Sequence, residues 1–166
     1  MMDPELIAAA VRVLDANRAL GRTVAVAESC TGGLVSAALT EIAGSSDVFD
    51  RGFVTYSNEA KLEAIGVNQD ILVTFGAVSI AVAWAMAQGT LVHSHADIAV
   101  AITGIAGPAG GSEKKPVGTV VFARAVRGGD PDVVVADVRH FGDLGRSEIR
   151  RQAALVALEL LMPAAA

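Results

Sequence analysis

Three short segments of this 166-residue chain combine nucleophilic, basic or glycine residues in patterns that can do chemistry. The first is Glu28-Ser29-Cys30-Thr31-Gly32-Gly33, which follows an apolar run and precedes a helical one. A serine at such a junction meets the partial positive charge of the helix N-terminus. Gly32 and Gly33 let backbone N–H groups approach a bound oxyanion or phosphate. The arrangement suits a nucleophile with an oxyanion hole of its own, formed by the N–H groups of Thr31 to Gly33 with help from Thr103. Read alone, the segment is equally an ordinary turn with Ser29 or Thr31 as helix N-cap. It lacks the Lys-Ser or Lys-Thr of a P-loop and the Gly-x-Ser-x-Gly of an esterase elbow.

The second segment is Tyr56-Ser57-Asn58-Glu59-Ala60-Lys61, which holds the chain's one tyrosine. A serine nucleophile needs a base, and a lysine serves once burial or a neighbouring cation lowers its pKa from about 10.4 toward about 7–8. Tyr56 is then placed to orient the lysine or relay a proton. By composition alone the commoner reading is a solvated lysine and a half-buried strand-end tyrosine. The third segment, Thr103-Gly104-Ile105-Ala106-Gly107-Pro108-Ala109-Gly110-Gly111, follows a buried apolar run. Its glycines, Gly104 and Gly107 among them, permit a tight wrap around a ligand, and Thr103 can donate to a substrate carbonyl. The plain alternative is a connector loop. Arg146, Arg150 and Arg151 open the last helix, where a phosphate would meet both guanidinium groups and a helix N-terminus. By pattern they equally form a solvated face. His93, His95 and His140 lack carboxylate or cysteine partners at ligand spacing, so no metal site is expected. Cys30 is a second candidate nucleophile, with no histidine placed in sequence to activate it.

The elements that must position these groups follow from periodicity. Asp3-Pro4 starts a helix that ends at Gly21. Thr23–Ala27 reads as a strand, 28–33 as a turn, and Leu34–Ile42 as a helix. Gly52–Tyr56 is a second strand, Asn58–Ile65 a short helix closed by Gly66, and Asn68–Val73 another helical piece. Ser79 caps a helix through Val92. Asp97–Thr103 is a strand buried on both faces. Val117–Arg124 and Val133–Phe141 are strands joined by a hairpin at Gly128-Gly129-Asp130-Pro131, and 145–161 is the final helix. Strands interleaved with helices, plus a terminal hairpin, predict an α/β fold: a three-layer α/β/α sandwich with a mixed sheet in a single domain.

Composition narrows the function classes. Hydrophobic residues make up 52% and charged residues 19%, with a formal net charge of −5. That balance gives no nucleic-acid footprint, since Lys114-Lys115 and the arginines from 146 to 151 are too short for a basic arm. One cysteine excludes an intrachain disulfide and a multi-cysteine metal site. Neither a signal peptide nor an apolar run long enough for a membrane span is recognised, so a cytoplasmic location is expected.

Taken together, Ala27-Glu28-Ser29-Cys30-Thr31-Gly32-Gly33, Tyr56-Ser57-Asn58-Glu59-Ala60-Lys61, and Thr103-Gly104-Ile105-Ala106-Gly107-Pro108 followed by Lys115-Pro116-Val117-Gly118-Thr119-Val120 resemble one family. Gly76-Ala77-Val78-Ser79 is a weaker fourth match. The chain resembles the CinA C-terminal-domain family of competence/damage-inducible proteins, whose studied members are nicotinamide-nucleotide amidases. The resemblance runs in order over nearly the whole chain. It implies hydrolysis of the carboxamide of nicotinamide mononucleotide to nicotinate mononucleotide and ammonia, in pyridine-nucleotide recycling. The family's serine falls on Ser29, its lysine on Lys61, its tyrosine on Tyr56 and its threonine on Thr103. Thr31, Gly32, Gly33, Gly104, Gly107 and Arg146 would surround the substrate. Two residues separate Asp143 from Arg146, a departure that makes Arg150 the alternative phosphate-binding arginine, and Ala109 stands where a third glycine is common.

The resemblance further implies a stand-alone amidase domain over 1–166 and a small-molecule nucleotide as partner. It implies no cofactor, metal, nucleic acid or membrane, and assembly into homo-oligomers. Two other functions remain open: a non-catalytic nucleotide-binding module, and a serine amidase of another small amide. A purely structural interaction domain would leave the glycine-rich loops unexplained.

Overall fold

The computed structural model describes residues 1–164. Asp3 starts the first helix, α1 (Pro4–Ala19), by accepting the N–H groups of Glu5 and Leu6 on its carboxylate. Leu6, Ala10, Val13 and Leu14 form its buried stripe at helical spacing. Strand β1 (Val24–Glu28) is buried along its whole length. It is followed by helix α2 (Leu34–Thr40), a 3₁₀ turn at Ser45–Asp47 and strand β2 (Phe49–Val54). Helices α3 (Asn58–Ile65), α4 (Gln69–Phe75) and α5 (Ile80–Val92) come next, then β3 (Ile98–Gly104), β4 (Thr119–Val126), β5 (Ala136–His140) and α6 (Arg146–Leu160).

The five strands form one sheet in the order β2-β1-β3-β4-β5. β2, β1 and β3 run parallel, while β4 is antiparallel to both its neighbours. α1, α2 and α6 cover one face and α5, flanked by α3 and α4, covers the other. The fold is therefore the expected α/β sandwich with a mixed sheet.

Alternation along the strands divides the core into two unlike halves. Val24 and Val26 of β1, Ile98, Val100 and Ile102 of β3, and Val120 and Phe122 of β4 point to the α1/α2/α6 side. Ala27, Ala99, Ala101, Val121, Ala123 and Ala125 point to the α5 side. The small residues let α5 lie close to the sheet, and Gly89 on α5 lets α3 approach in turn. A Cβ on Gly89 would overlap the carbonyl oxygen of Ile65.

Several boundaries differ from the sequence pattern for identifiable reasons. β1 extends through Glu28, because its pairing with β3 continues to Ile102. β2 begins at Phe49 rather than Gly52, since parallel pairing with β1 starts at Val24. β4 starts at Thr119 rather than Val117. Gly118 (φ +93°) passes so close to Gly142 that a Cβ would overlap it, and Thr119 N–H closes a turn on Pro116 O (3.0 Å). The β4–β5 connection is longer than a tight hairpin: Val133 N–H closes a turn on Asp130 O (3.1 Å), and Trp84 Nε1 on α5 donates to Pro131 O (3.1 Å). No helix among the described residues is long and apolar enough to cross a membrane.

Candidate active site

Parallel strands β1 and β3 end at the same edge of the sheet, and ligands of open α/β sheets bind beyond such ends. Ser29 is the first residue past β1, and its N–H is held by Ile102 O at 2.9 Å. The pleat that sends Glu28 toward α2 sends Ser29 to the opposite face, the one carrying Ala27 and Thr103.

Lys61 reaches Ser29 from α3. Ser57 caps that helix by accepting Ala60 N–H (3.0 Å), and Gly66 ends it in the left-handed conformation (φ +69°). Lys61 is only 1% exposed, which is rare for lysine. Its Nζ lies 2.9 Å from Ser29 Oγ, 2.7 Å from Thr55 O and 3.3 Å from Tyr56 O. No carboxylate pairs with it among the ion pairs of the described residues. Burial without a counter-charge pushes the Lys61 ammonium below the ordinary lysine range.

A cleft of about 260 Å³ opens at this point, lined by Ser29, Cys30, Tyr56, Lys61, Thr103, Gly104, Gly107 and Arg146 with their neighbours. The glycine loop forms one wall, and its backbone is close-packed. A Cβ on Gly104 would come within 2.8 Å of Val120, and Gly107 has φ +76° and abuts Val117. Arg146, in the first turn of α6, donates to Gly107 O (2.7 Å) and to the Tyr56 hydroxyl (2.9 Å), so it links the loop to the β2–α3 turn.

Several sequence expectations for this site meet a different geometry. The Tyr56 phenol accepts a hydrogen bond from Arg146, and it is the Tyr56 backbone carbonyl that accepts from Lys61 Nζ. Thr103 lines the cleft, but its hydroxyl donates to Ala77 O (2.9 Å), which fixes the segment before α5 rather than leaving a donor for a substrate. Thr31, Gly32 and Gly33 do not line the cleft. Arg150 of α6 donates to Cys30 O and Thr31 O, each at 3.1 Å, and packs beside Gly32, while Gly33 faces Val54 of β2. Arg150 thus braces the turn from behind, and Arg146 is the arginine that faces the cleft.

The N-terminus of α2 is not open to an anion either. Gly33 supplies no capping side chain, and the Glu28 carboxylate accepts Val35 N–H (2.9 Å) and Ser36 N–H (3.0 Å) in its place. The Cys30 thiol is buried, which pushes its pKa up to about 11. It therefore stays protonated near neutral pH and is a poor nucleophile. His93 engages Gly89 O through Nδ1, and His140 Nδ1 lies 3.3 Å from the Thr119 hydroxyl. No cluster of three metal-ligating side chains occurs among the described residues.

Sequence reasoning missed Asn58, Ala77 and Val78 as cleft residues. Asn58 stands three residues before Lys61 on α3, a spacing that places two side chains on one helix face. That spacing was the available signal.

Comparison with known proteins points to one family. The CinA C-terminal domain family model matches residues 7–165. The nicotinamide-nucleotide amidohydrolase PncC of Escherichia coli (strain K12) is 52% identical over 161 residues, covering 97% of this chain and 95% of that protein. The PncC of Enterobacter agglomerans is 50% identical over 159 residues, covering 96% and 94%. Among solved structures, the competence/damage inducible protein CihA from Agrobacterium tumefaciens superposes with a TM-score of 0.92 at 50% identity, covering 97% of this chain and 96% of that one.

Proposed function

The chain belongs to the CinA C-terminal domain family, and from that premise we propose that it hydrolyses the carboxamide of nicotinamide mononucleotide, with Ser29 as nucleophile and Lys61 as base. The products are nicotinate mononucleotide and ammonia, and the reaction returns the pyridine nucleotide for reuse. Relatives that share half the residues over nearly their full length carry the name nicotinamide-nucleotide amidohydrolase. The observation that carries the reading is the 2.9 Å contact between Lys61 Nζ and Ser29 Oγ in a buried setting without a counter-ion.

A neutral lysine amine has two N–H donors and one lone pair. Thr55 O and Tyr56 O accept the two hydrogens, and the lone pair then faces the Ser29 hydroxyl. Lys61 takes the serine proton as Oγ attacks the carboxamide carbon. The pyridinium ring withdraws electrons from that carbon and makes it more electrophilic. No protein oxygen accepts the N–H of Cys30 among the described residues, and Cys30 lines the cleft. Adjacent to the nucleophile, that N–H is a donor available to the tetrahedral oxyanion. The Lys61 ammonium returns its proton to the departing nitrogen, which leaves as ammonia. Water, deprotonated by Lys61, then cleaves the acyl-serine, and Ser29 recovers its proton. Arg146 has five N–H donors, of which two are engaged by Gly107 O and the Tyr56 hydroxyl. The remainder can hold the substrate phosphate.

The test is ammonia release from nicotinamide mononucleotide by the purified chain, without added metal, beside Ser29→Ala and Lys61→Ala. Release by the wild type alone is the expected result. A well-folded wild type that binds the nucleotide without releasing ammonia would replace the amidase by a nucleotide-binding module.

A further inference from the structure

Glu28 is fully buried and has no cationic partner among the ion pairs of the described residues. A carboxylate in that position is costly unless its oxygens are hydrogen-bonded. They are: one oxygen accepts Val35 N–H (2.9 Å), the other Ser36 N–H (3.0 Å) and the Ser36 hydroxyl (2.7 Å). A residue at the end of a strand thereby supplies the cap that Gly33 cannot give to α2. The five residues Ser29 to Gly33 lie between the carboxylate's own backbone and the helix start that it grips, so the side chain closes the nucleophile turn across its base.

The main chain of Glu28 makes the other half of the link. Its carbonyl oxygen accepts Thr55 N–H (2.9 Å), and Thr55 O in turn accepts from Lys61 Nζ (2.7 Å). The next residue, Ser29, is tied through its N–H to Ile102 O. One residue therefore joins the start of α2, the turn carrying the serine and the turn holding the lysine.

We propose that Glu28 is a positioning residue: its buried carboxylate, bonded to the start of α2, sets the Ser29 hydroxyl at the distance from Lys61 at which the proton can pass. The proposal rests on the reading of Ser29 as nucleophile. Glu28 does not line the cleft, and its carboxylate bonds only to the start of α2. A Glu28→Gln side chain keeps the volume but turns an amide N–H₂ toward a donor, so one side of the grip is lost. Misplacement of a reacting group by about 1 Å costs about a hundredfold in rate.

The experiment compares wild type, Glu28→Gln and Ser36→Ala by three measurements. The first is kcat and KM for ammonia release from nicotinamide mononucleotide. The second is the rate at which phenylmethanesulfonyl fluoride sulfonylates Ser29, followed by mass spectrometry. In that step Ser29 Oγ bonds to sulfur, fluoride leaves and Lys61 takes the serine proton, so it reads the nucleophile without the natural substrate. The third is thermal unfolding.

Glu28→Gln is expected to lose about tenfold to a hundredfold in both kcat and sulfonylation rate, well below its melting temperature and with KM near wild type. Ser36→Ala, which keeps the two backbone bonds, is expected to show a smaller loss of the same kind. Normal kcat and normal labelling in folded Glu28→Gln would overturn the proposal. So would an unfolded Glu28→Gln together with an unaffected Ser36→Ala, because the role would then be structural alone. A wild type that is sulfonylated at Ser29 but releases no ammonia would sink the substrate assignment, while the labelling rates of the variants would still decide the role of Glu28. A wild type that turns over but resists sulfonylation at Ser29 would remove the serine nucleophile and this proposal with it.

Discussion

The two faces of the sheet are built from the same strands but from different side chains. On β3, Ile98, Val100 and Ile102 face α1, α2 and α6, whereas Ala99, Ala101 and Thr103 face the α5 side. On β1 the same alternation ends in two adjacent buried polar residues, Glu28 on the first side and Ser29 on the second. Both Glu28 carboxylate oxygens are met by fixed donors; Ser29 faces the Lys61 amine and a cleft. Large aliphatic residues bury more area and make more dispersion contacts per position, so the first face carries more of the stability. Alanines on the second face let α5, and through Gly89 α3, come near enough for the Lys61 stem to span the gap to Ser29. The contrast predicts that activity and stability can be damaged separately.

The sharpest way to break that contrast is Lys61→Met. It should lower kcat by about 10²–10⁴-fold, the usual worth of a positioned base. It should also leave the melting temperature unchanged or raise it near neutral pH. The folded state depresses the Lys61 pKa below its ordinary value of 10.5, so the buried ammonium is a penalty at low pH. Between the folded and unfolded pKa values the unfolded chain binds more protons, and wild-type stability rises with pH through that window. Activity has the same sign, because the base works only when neutral. Unfolding and kcat/KM measured against pH should therefore both climb as Lys61 loses its proton, and the climb in stability should vanish in Lys61→Met. A variant that unfolds at room temperature would show that Lys61 is a structural strut.

On the opposite face the expectation inverts. Phe122 is fully buried against α6 and its neighbours. Phe122→Ala should cost about 3–5 kcal/mol in denaturant unfolding, with kcat per folded molecule near wild type. A collapse of kcat in the folded fraction would mean that the two halves of the core are coupled.

A smaller effect belongs to the cleft mouth. Arg146→Ala removes a charged donor and the tie between Gly107 O and the Tyr56 hydroxyl. Hydrogen bonds to charged groups contribute about 1.5–3 kcal/mol, so KM should rise about 10- to 100-fold while kcat changes little. Arg150→Ala should act otherwise, lowering kcat or stability, since that residue braces the backbone of Cys30 and Thr31 and does not line the cleft. Steady-state kinetics on both variants would separate the roles.

Much of this was legible in the residues because local rules and the fold agree. Asp3-Pro4, Ser79 and Gly66 mark helix ends by capping chemistry, and the structure uses each of them that way. The apolar runs at Thr23–Ala27 and Asp97–Thr103 read as strands, the second buried on both faces, and the structure buries both in the interior. What stayed hidden depends on partners distant in sequence. Lys61 reads as a surface residue until a contact spanning 32 positions buries its amine beside Ser29. The Thr103 hydroxyl looks free until Ala77 O, 26 positions earlier, takes its hydrogen. The turn at Thr31 to Gly33 looks like an anion cradle because its glycines suit one. Only the pleat reveals that Glu28 already occupies the helix start. Pattern fixes which residues can act, whereas the direction of a side chain at a strand end decides which of them meet.

The smallest expected effect tests the boundary between the two faces. Cys30 adjoins Ser29 and lines the cleft, yet its side chain belongs to the large-residue cluster. With its thiol pushed up to about 11, the thiolate fraction at neutral pH is about one part in 10⁴. Cys30→Ala should therefore keep kcat close to wild type and lower stability by about 1 kcal/mol, the typical cost of a buried substitution of this size. Iodoacetamide should label native Cys30 slowly and leave ammonia release intact. The backbone N–H at position 30 survives the substitution, so a donor to the oxyanion would be retained along with it. If folded Cys30→Ala instead lost its activity while Ser29→Ala kept it, the nucleophile would be the neighbouring sulfur. The chemistry would then sit on the face assigned here to stability, and the division between the two halves of the core would fail at the residue where they touch.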